Sequence, residues 1–157
     1  MEVIEFRGKD IGTNKWIYGG YFKHLNRTLS PIGDRITKKD IDHLIITGSY
    51  SDWNMPRGID CFAVKEETVG QFTGLYDSKG DKIYNGDILE ITGNHKPGKY
   101  IVVWDKYRVA WWGKNIKYDK REREHDDDWF QLLGSIFQSL VREVIGNGID
   151  NPELLEV

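Results

Sequence analysis

The chain has 157 residues, 39% hydrophobic and 13% aromatic, with a formal charge of −3 and an isoelectric point near 5.8. That apolar content is enough for one domain without cross-links, and the acidic balance excludes a globally basic nucleic-acid binder. Cys61 is the one cysteine, which rules out an internal disulfide and a cysteine-based metal site.

The opening, Met1 to Phe6, has neither the basic start nor the apolar run of a secretory leader. No stretch reaches the apolar length needed to cross a bilayer. The expectation is a soluble cytoplasmic protein with no membrane partner, for which the Asn26-Arg27-Thr28 sequon is a chance match.

Glu2 to Arg7 alternates polar and apolar residues and reads as a strand. Gly12 to Lys15 is turn chemistry, and the aromatic run Trp16 to Lys23 is its returning partner, giving an N-terminal hairpin. Gly19-Gly20 inside that run marks a bulge or the close approach of another backbone. Asn26 to Asp42 is polar and irregular. Short strands follow at Leu44–Thr47 and Cys61–Val64, around a Gly-, Ser- and Asp-rich loop holding Trp53.

Gln71 to Thr92 has the densest turn punctuation. Asp77-Ser78-Lys79-Gly80 fits a type I turn with a glycine placed for positive φ, and Asn85-Gly86 is the strongest short turn dipeptide. Asp87 to Thr92 then reads as a strand with Ile88 and Leu89 near the core. Tyr100 to Trp104 is a β-branched and aromatic strand, paired across 105–108 with Val109 to Trp112. Asp126 to Asp128 can cap a helix whose apolar face is Trp129, Leu132, Leu133, Ile136 and Leu140. Val141 to Gly146 returns to strand character.

The expected fold is therefore mostly β, a β-rich α+β class with short, strongly bent strands. Its C-terminal half is expected to be SH3-like and barrel-type, and one short C-terminal helix is expected. Residues 1–157 read as a single domain, divisible into an N-terminal β subdomain (1–66) and a barrel-like C-terminal one (67–157).

Three motifs in order carry a family resemblance. They are Phe6-Arg7-Gly8-Lys9-Asp10 with Trp16 and Tyr18-Gly19, then Thr68 to Leu75 running on through Ile83 to Ile88, and finally Glu143 to Asn147 with Asn151 to Leu154. The chain resembles the YopX family of phage and prophage proteins. That resemblance implies a β-rich fold and a phage or prophage origin, with no reaction and no catalytic residues to carry over. The segments 26–57 and 114–128 depart most from the shared pattern.

No P-loop, dinucleotide fingerprint or nucleophile elbow occurs, and none of His24, His43, His95 and His125 has the i, i+4 spacing of a zinc helix. His125, beside Glu124 and three aspartates, fits an acidic helix start better than a cation site. No catalytic residue, cofactor or metal is expected.

Two surfaces are candidates for binding. In the turn-rich segment, the Gln71 amide and Thr73 hydroxyl can line a surface and Tyr76 with Tyr84 an aromatic groove, although such glycines and turn residues serve a tight β fold in any case. The second is 96–123, with nine Lys or Arg and three acids, a local charge of +6 against −9 elsewhere. Trp112, Lys117, Tyr118, Lys120 and Arg121 stand out there, because cations interleaved with aromatic faces suit single-stranded nucleic acid. The competing reading puts Trp104 and Trp111 in the core and leaves the cations as a solvated face. The primary expectation is a non-enzymatic accessory protein that binds a host or phage protein, with homo-oligomerisation open to it. Nucleic-acid binding is the alternative.

Overall fold

The computed structural model describes residues 4–30, 33–48, 58–92, 97–117, 129–132 and 141–156. The fold is mostly β and antiparallel throughout the described residues. The chain forms two compact units, Met1–Gln71 and Phe72–Val157.

In the first unit, β1 (Phe6–Lys9) and β2 (Trp16–Leu25) form the expected hairpin, with Arg7 opposite Tyr18 and Lys9 opposite Trp16. The Asp10 carboxylate accepts the Thr13 hydroxyl at 2.7 Å and the Thr13 N–H at 2.6 Å, which fixes the turn and lowers the Asp10 pKa. β3 (Ile41–Gly48) pairs with β2, and β4 (Ile59–Ala63) with β3, giving the order β4-β3-β2-β1. Gly70 and Gln71, which begin β5 (Gly70–Tyr76), pair on the other side of β1. Gly19 is where two backbones meet, because a Cβ there would lie 2.1 Å from the Ile46 carbonyl oxygen. Between β2 and β3, Arg27 orders a polar segment by binding Asp40 at 2.6 Å and Asp34 at 3.0 Å. A 3-10 turn, Lys38–Asp40, leads into β3. Ile45 and Val64 are the first unit's buried large apolar residues among the described ones, and Arg7, Lys9 and Thr68 are buried polar ones.

In the second unit, the remainder of β5 pairs with β6 (Lys82–Tyr84). β7 (Asp87–Thr92), β8 (Gly98–Asp105), β9 (Ala110–Asn115) and β10 (Trp129–Gln131) form a meander. β11 (Val141–Asn147) returns to the outer side of β7, so the order is β10-β9-β8-β7-β11. Ile83, Leu89, Ile91, Tyr100, Val102, Trp111 and Leu132 pack as one core, with Leu75 and Val144 against it. Each fully buried aliphatic side chain of this kind contributes about 1.5–3 kcal/mol.

One expected element is different. The spacing from Trp129 predicts a helix, but Trp129–Gln131 is a strand pairing with Lys114, Gly113 and Trp112. The outer edge of β9 needs partners for its N–H and C=O groups, and pairing there carries Leu132 into the core, where its N–H donates to the Trp111 carbonyl at 3.0 Å. The rest of that predicted helix, 133–140, lies outside the described residues, as does its capping segment 126–128. Among the described residues the helical element near the C-terminus is a 3-10 turn, Pro152–Leu155.

Candidate functional site

The turn-rich segment is built into the second unit as an anchor. Burial alone would resist ionisation of Asp77, yet backbone N–H groups overcome it and hold its carboxyl below the ordinary range. One oxygen accepts the Lys79 and Asp81 N–H groups, each at 2.8 Å, and the other accepts the Val144 N–H at 3.1 Å. The same turn grips β11 beside it. The Ser78 N–H donates to the Arg142 carbonyl at 2.8 Å, the Ser78 hydroxyl donates to that carbonyl as well, and the Arg142 N–H returns a bond to the hydroxyl at 2.9 Å. The Arg142 guanidinium reaches back to the Tyr76 carbonyl at 2.9 and 3.2 Å. Burial lowers its pKa, while Lys79 pairs with Glu143 at 2.8 Å.

The first set of sequence candidates therefore separates. Thr73 is buried, its hydroxyl donating to the Ile83 carbonyl at 2.9 Å and accepting the Leu75 N–H at 3.2 Å. It stabilises the irregular β5–β6 pairing and does not line a surface. Tyr84 is also buried, 5.6 Å from the Phe72 ring, so it does not form an open groove with Tyr76. Tyr76 is exposed and stacks edge-on against Phe72 at 5.4 Å. Gln71 is half-buried opposite Phe6.

The basic aromatic stretch divides by strand face. Tyr100 and Trp111 are core residues, whereas Trp104 is exposed at the strand end, its ring 5.0 Å from that of Trp111. Trp112 is half-buried. Its Nε1 is buried without a hydrogen-bond partner among the described residues, and the Arg108 guanidinium lies 4.7 Å from its ring. Lys117 is exposed; Tyr118, Lys120 and Arg121 lie outside the described residues.

The best-defined surface feature is the β8–β9 tip. Asp105 accepts the Tyr107 N–H at 2.8 Å and the Arg108 N–H at 3.1 Å, and its second oxygen holds the Arg108 guanidinium at 3.0 Å. The Arg108 N–H bond is foremost in lowering the Asp105 pKa. On this pinned turn Tyr107 is 85% and Val109 71% exposed, and Val109 has φ 49°. A β-branched residue is strained there, and the tip displays apolar groups on a turn closed by Asp105. The Lys106 ammonium sits 4.9 Å from the Tyr107 ring. In the sequence 105–108 reads as a connecting turn, with Tyr107 one of the aromatics interleaved with the cations of 96–123 and Val109 the start of a strand, so the pair is not read there as one exposed surface. The signal was present, since turns rarely carry Tyr and Val without polar replacements.

Two further arrangements needed the fold to become visible. A cleft of about 570 Å3 in the second unit runs between the C-terminal turn and the β7–β8 end, its rim carrying Lys99 and Lys117 against Glu90, Glu153 and Glu156. In the first unit Tyr21 shares a 2.6 Å hydrogen bond with His43 Nδ1, and His43 Nε2 lies 3.9 Å from Glu66. Burial, reinforced by the Glu66 charge, raises the Tyr21 pKa. Among the described residues no three His, Cys, Asp or Glu are gathered to hold a metal ion, and no helix is long and apolar enough to cross a membrane.

Two antiparallel β units define a small β-sheet protein. Residues 5–156 match the family described as YopX protein, and the chain belongs to that family. A similar solved structure is that of protein EF1440 from Enterococcus faecalis. It is 20% identical with a TM-score of 0.42, and the alignment covers 99% of this chain and 100% of that one. No curated protein matches the sequence.

Proposed function

We propose that this protein is a non-enzymatic accessory protein of phage or prophage origin that works in the bacterial cytoplasm by binding another protein through its β8–β9 tip. One observation carries the reading: Tyr107 and Val109 are 85% and 71% exposed on a turn whose backbone Asp105 holds in place. Aromatic and aliphatic anchors on a preorganised turn lose little entropy on docking. The phage origin rests on the family resemblance. A meander, β7 to β10, whose first strand also receives the last strand β11, supports treating the second unit as an SH3-like barrel.

The test is affinity capture from host cells, comparing the natural chain with Tyr107→Ala and Val109→Asp. A specific partner should be retained by the natural chain and reduced at least about tenfold by either change, the usual effect of losing an anchor. Equal recovery by all three forms overturns the assignment of the tip.

Nucleic-acid binding is the second reading, favoured by the exposed rings of Trp104 and Tyr107 on a strand pair that also bears Lys106 and Lys114. The Arg108 guanidinium is engaged by Asp105 and the Trp112 ring, which weakens the case. Fluorescence anisotropy with single-stranded oligonucleotides decides it. Binding that falls steeply with salt and weakens in Lys117→Ala supports nucleic acid, and no binding at low salt rejects it.

A further inference from the structure

The outer face of the first unit breaks the usual pattern of an antiparallel sheet, in which the solvent side is polar. Directly paired residues project to the same side. The register therefore gathers Tyr18, Phe22, Leu44, Ile46, Ile59 and Cys61 on one face across β2, β3 and β4. Tyr18 is 46%, Phe22 52%, Ile46 37% and Ile59 79% exposed, and Cys61 is exposed as well. The opposite side of the same strands carries buried Ile45 and the Tyr21–His43 pair. Large apolar side chains therefore lie on both sides of this sheet, although the opposite side also carries Lys23, Thr47 and Asp60.

From this we infer that the outer face of β2–β3–β4 is the contact through which two copies of this chain associate. Charge is the first reason. No Asp, Glu, Lys or Arg side chain of these strands projects from the middle of the face; among the described residues Asp42, beside His24, lies at one end, and buried Arg7 and Lys9, against Trp16, lie at its flank. A two-fold contact therefore opposes no like charges, and the face offers no charge pattern by which to select a different partner.

Area is the second reason. Applied to side chains of about 150–250 Å2, the four quoted exposures leave roughly 400 Å2 uncovered per copy. Leu44, Cys61 and Ala63 extend it, so two copies bury on the order of 1,000 Å2, the lower limit for a specific interface. The contact should be reversible rather than obligate.

Sheet packing is preferred to strand addition at β4 because that edge is partly taken. Ile11 donates its N–H to the Ala63 carbonyl and Lys65 donates to the Lys9 carbonyl, each at 2.9 Å, which covers the end of the strand. Only the stretch around Ile59 to Cys61 remains for a new strand, whereas the face extends over three strands.

The experiment is sedimentation velocity on the full chain from low micromolar to about millimolar concentration, with Phe22→Lys, Ile46→Lys and a loop control, Lys15→Glu. The expected result is a concentration-dependent dimer that each lysine variant weakens at least about tenfold, by placing two like charges face to face, and that the control leaves unchanged. Far-UV circular dichroism keeps the result interpretable, since both positions are exposed and the variants should retain the β spectrum. Cys61 supplies an independent readout: a short bis-maleimide should join two natural copies and fail to join Phe22→Lys copies. A chain that stays monomeric throughout overturns the inference, and so does a dimer indifferent to both lysines. Capture of a different protein that Phe22→Lys abolishes, from a monomeric chain, would assign the face elsewhere and also overturn it.

Discussion

The second unit contains two turns that begin with aspartate, and they use the same chemistry for opposite ends. At 77–81 the carboxylate is buried, collects N–H groups from its own turn and spends one oxygen on Val144, 67 residues away. At 105–108 the carboxylate closes the turn in the same manner but reaches nothing outside it, leaving Tyr107 and Val109 in solvent. One turn anchors and the other presents. The difference teaches that the segment most useful for recognising the family is an internal fastening, while two strongly exposed apolar groups sit on a turn of ordinary appearance.

Substitutions can break this contrast, and the largest effect belongs to the anchor. Asp77→Ala removes the acceptor for three N–H groups and is expected to cost about 3 kcal/mol in urea unfolding. Gly80→Ala follows at about 1–2 kcal/mol, because Gly80 has φ 91° with open space around it, so the cost is backbone strain alone.

Acid titration sharpens the comparison next. The folded pKa of Asp77 lies below its unfolded value of about 3.9. Its contribution is therefore complete above that pH and lost as the pH falls through the folded pKa. Urea midpoints measured between neutral pH and strong acid should decline less steeply in Asp77→Asn than in the natural protein. The smallest effect is expected at the presenting turn. Tyr107→Ala should leave the unfolding free energy within about 0.5 kcal/mol, as for other exposed sites, while removing partner capture. A larger loss of stability would show that the tip is structural after all.

Turn chemistry is local, so much of the strand framework was legible in the sequence. Asp77 to Gly80, Asn85-Gly86 and the hairpin at Gly12 to Lys15 fell where expected. Gly19 was legible for the same reason, since a glycine inside an aromatic strand needs a cause and the Ile46 carbonyl supplies it. What was not legible depended on distant partners. The helix-like spacing from Trp129 gave way to an open strand edge at 112–114, and the meeting of Tyr21, His43 and Glu66 spans more than forty residues. Thr73 and Tyr84 were misplaced because a hydroxyl and a phenol look the same in sequence whether they satisfy the interior or face water. The apolar outer face of the first unit was hidden likewise. Alternation reveals a face only when one set of residues is polar, and along β2 and β3 both sets contain large apolar side chains.

The placement of β11 has a consequence for how the protein is made. β7 is flanked on one side by β8, which follows it immediately, and on the other by β11, whose pairing residues lie some fifty positions later. As the chain emerges from the ribosome, β7 and β8 can pair early, but the opposite border of β7 must wait for Val141–Asn147. During that interval the nascent chain carries an unpaired, strongly apolar strand border together with an aspartate turn that has nothing to grip. Such a border invites wrong pairing. The late arrival of one strand therefore makes the emergence of Val141–Asn147, rather than formation of the first hairpins, the step at which this strand border is covered against wrong pairing.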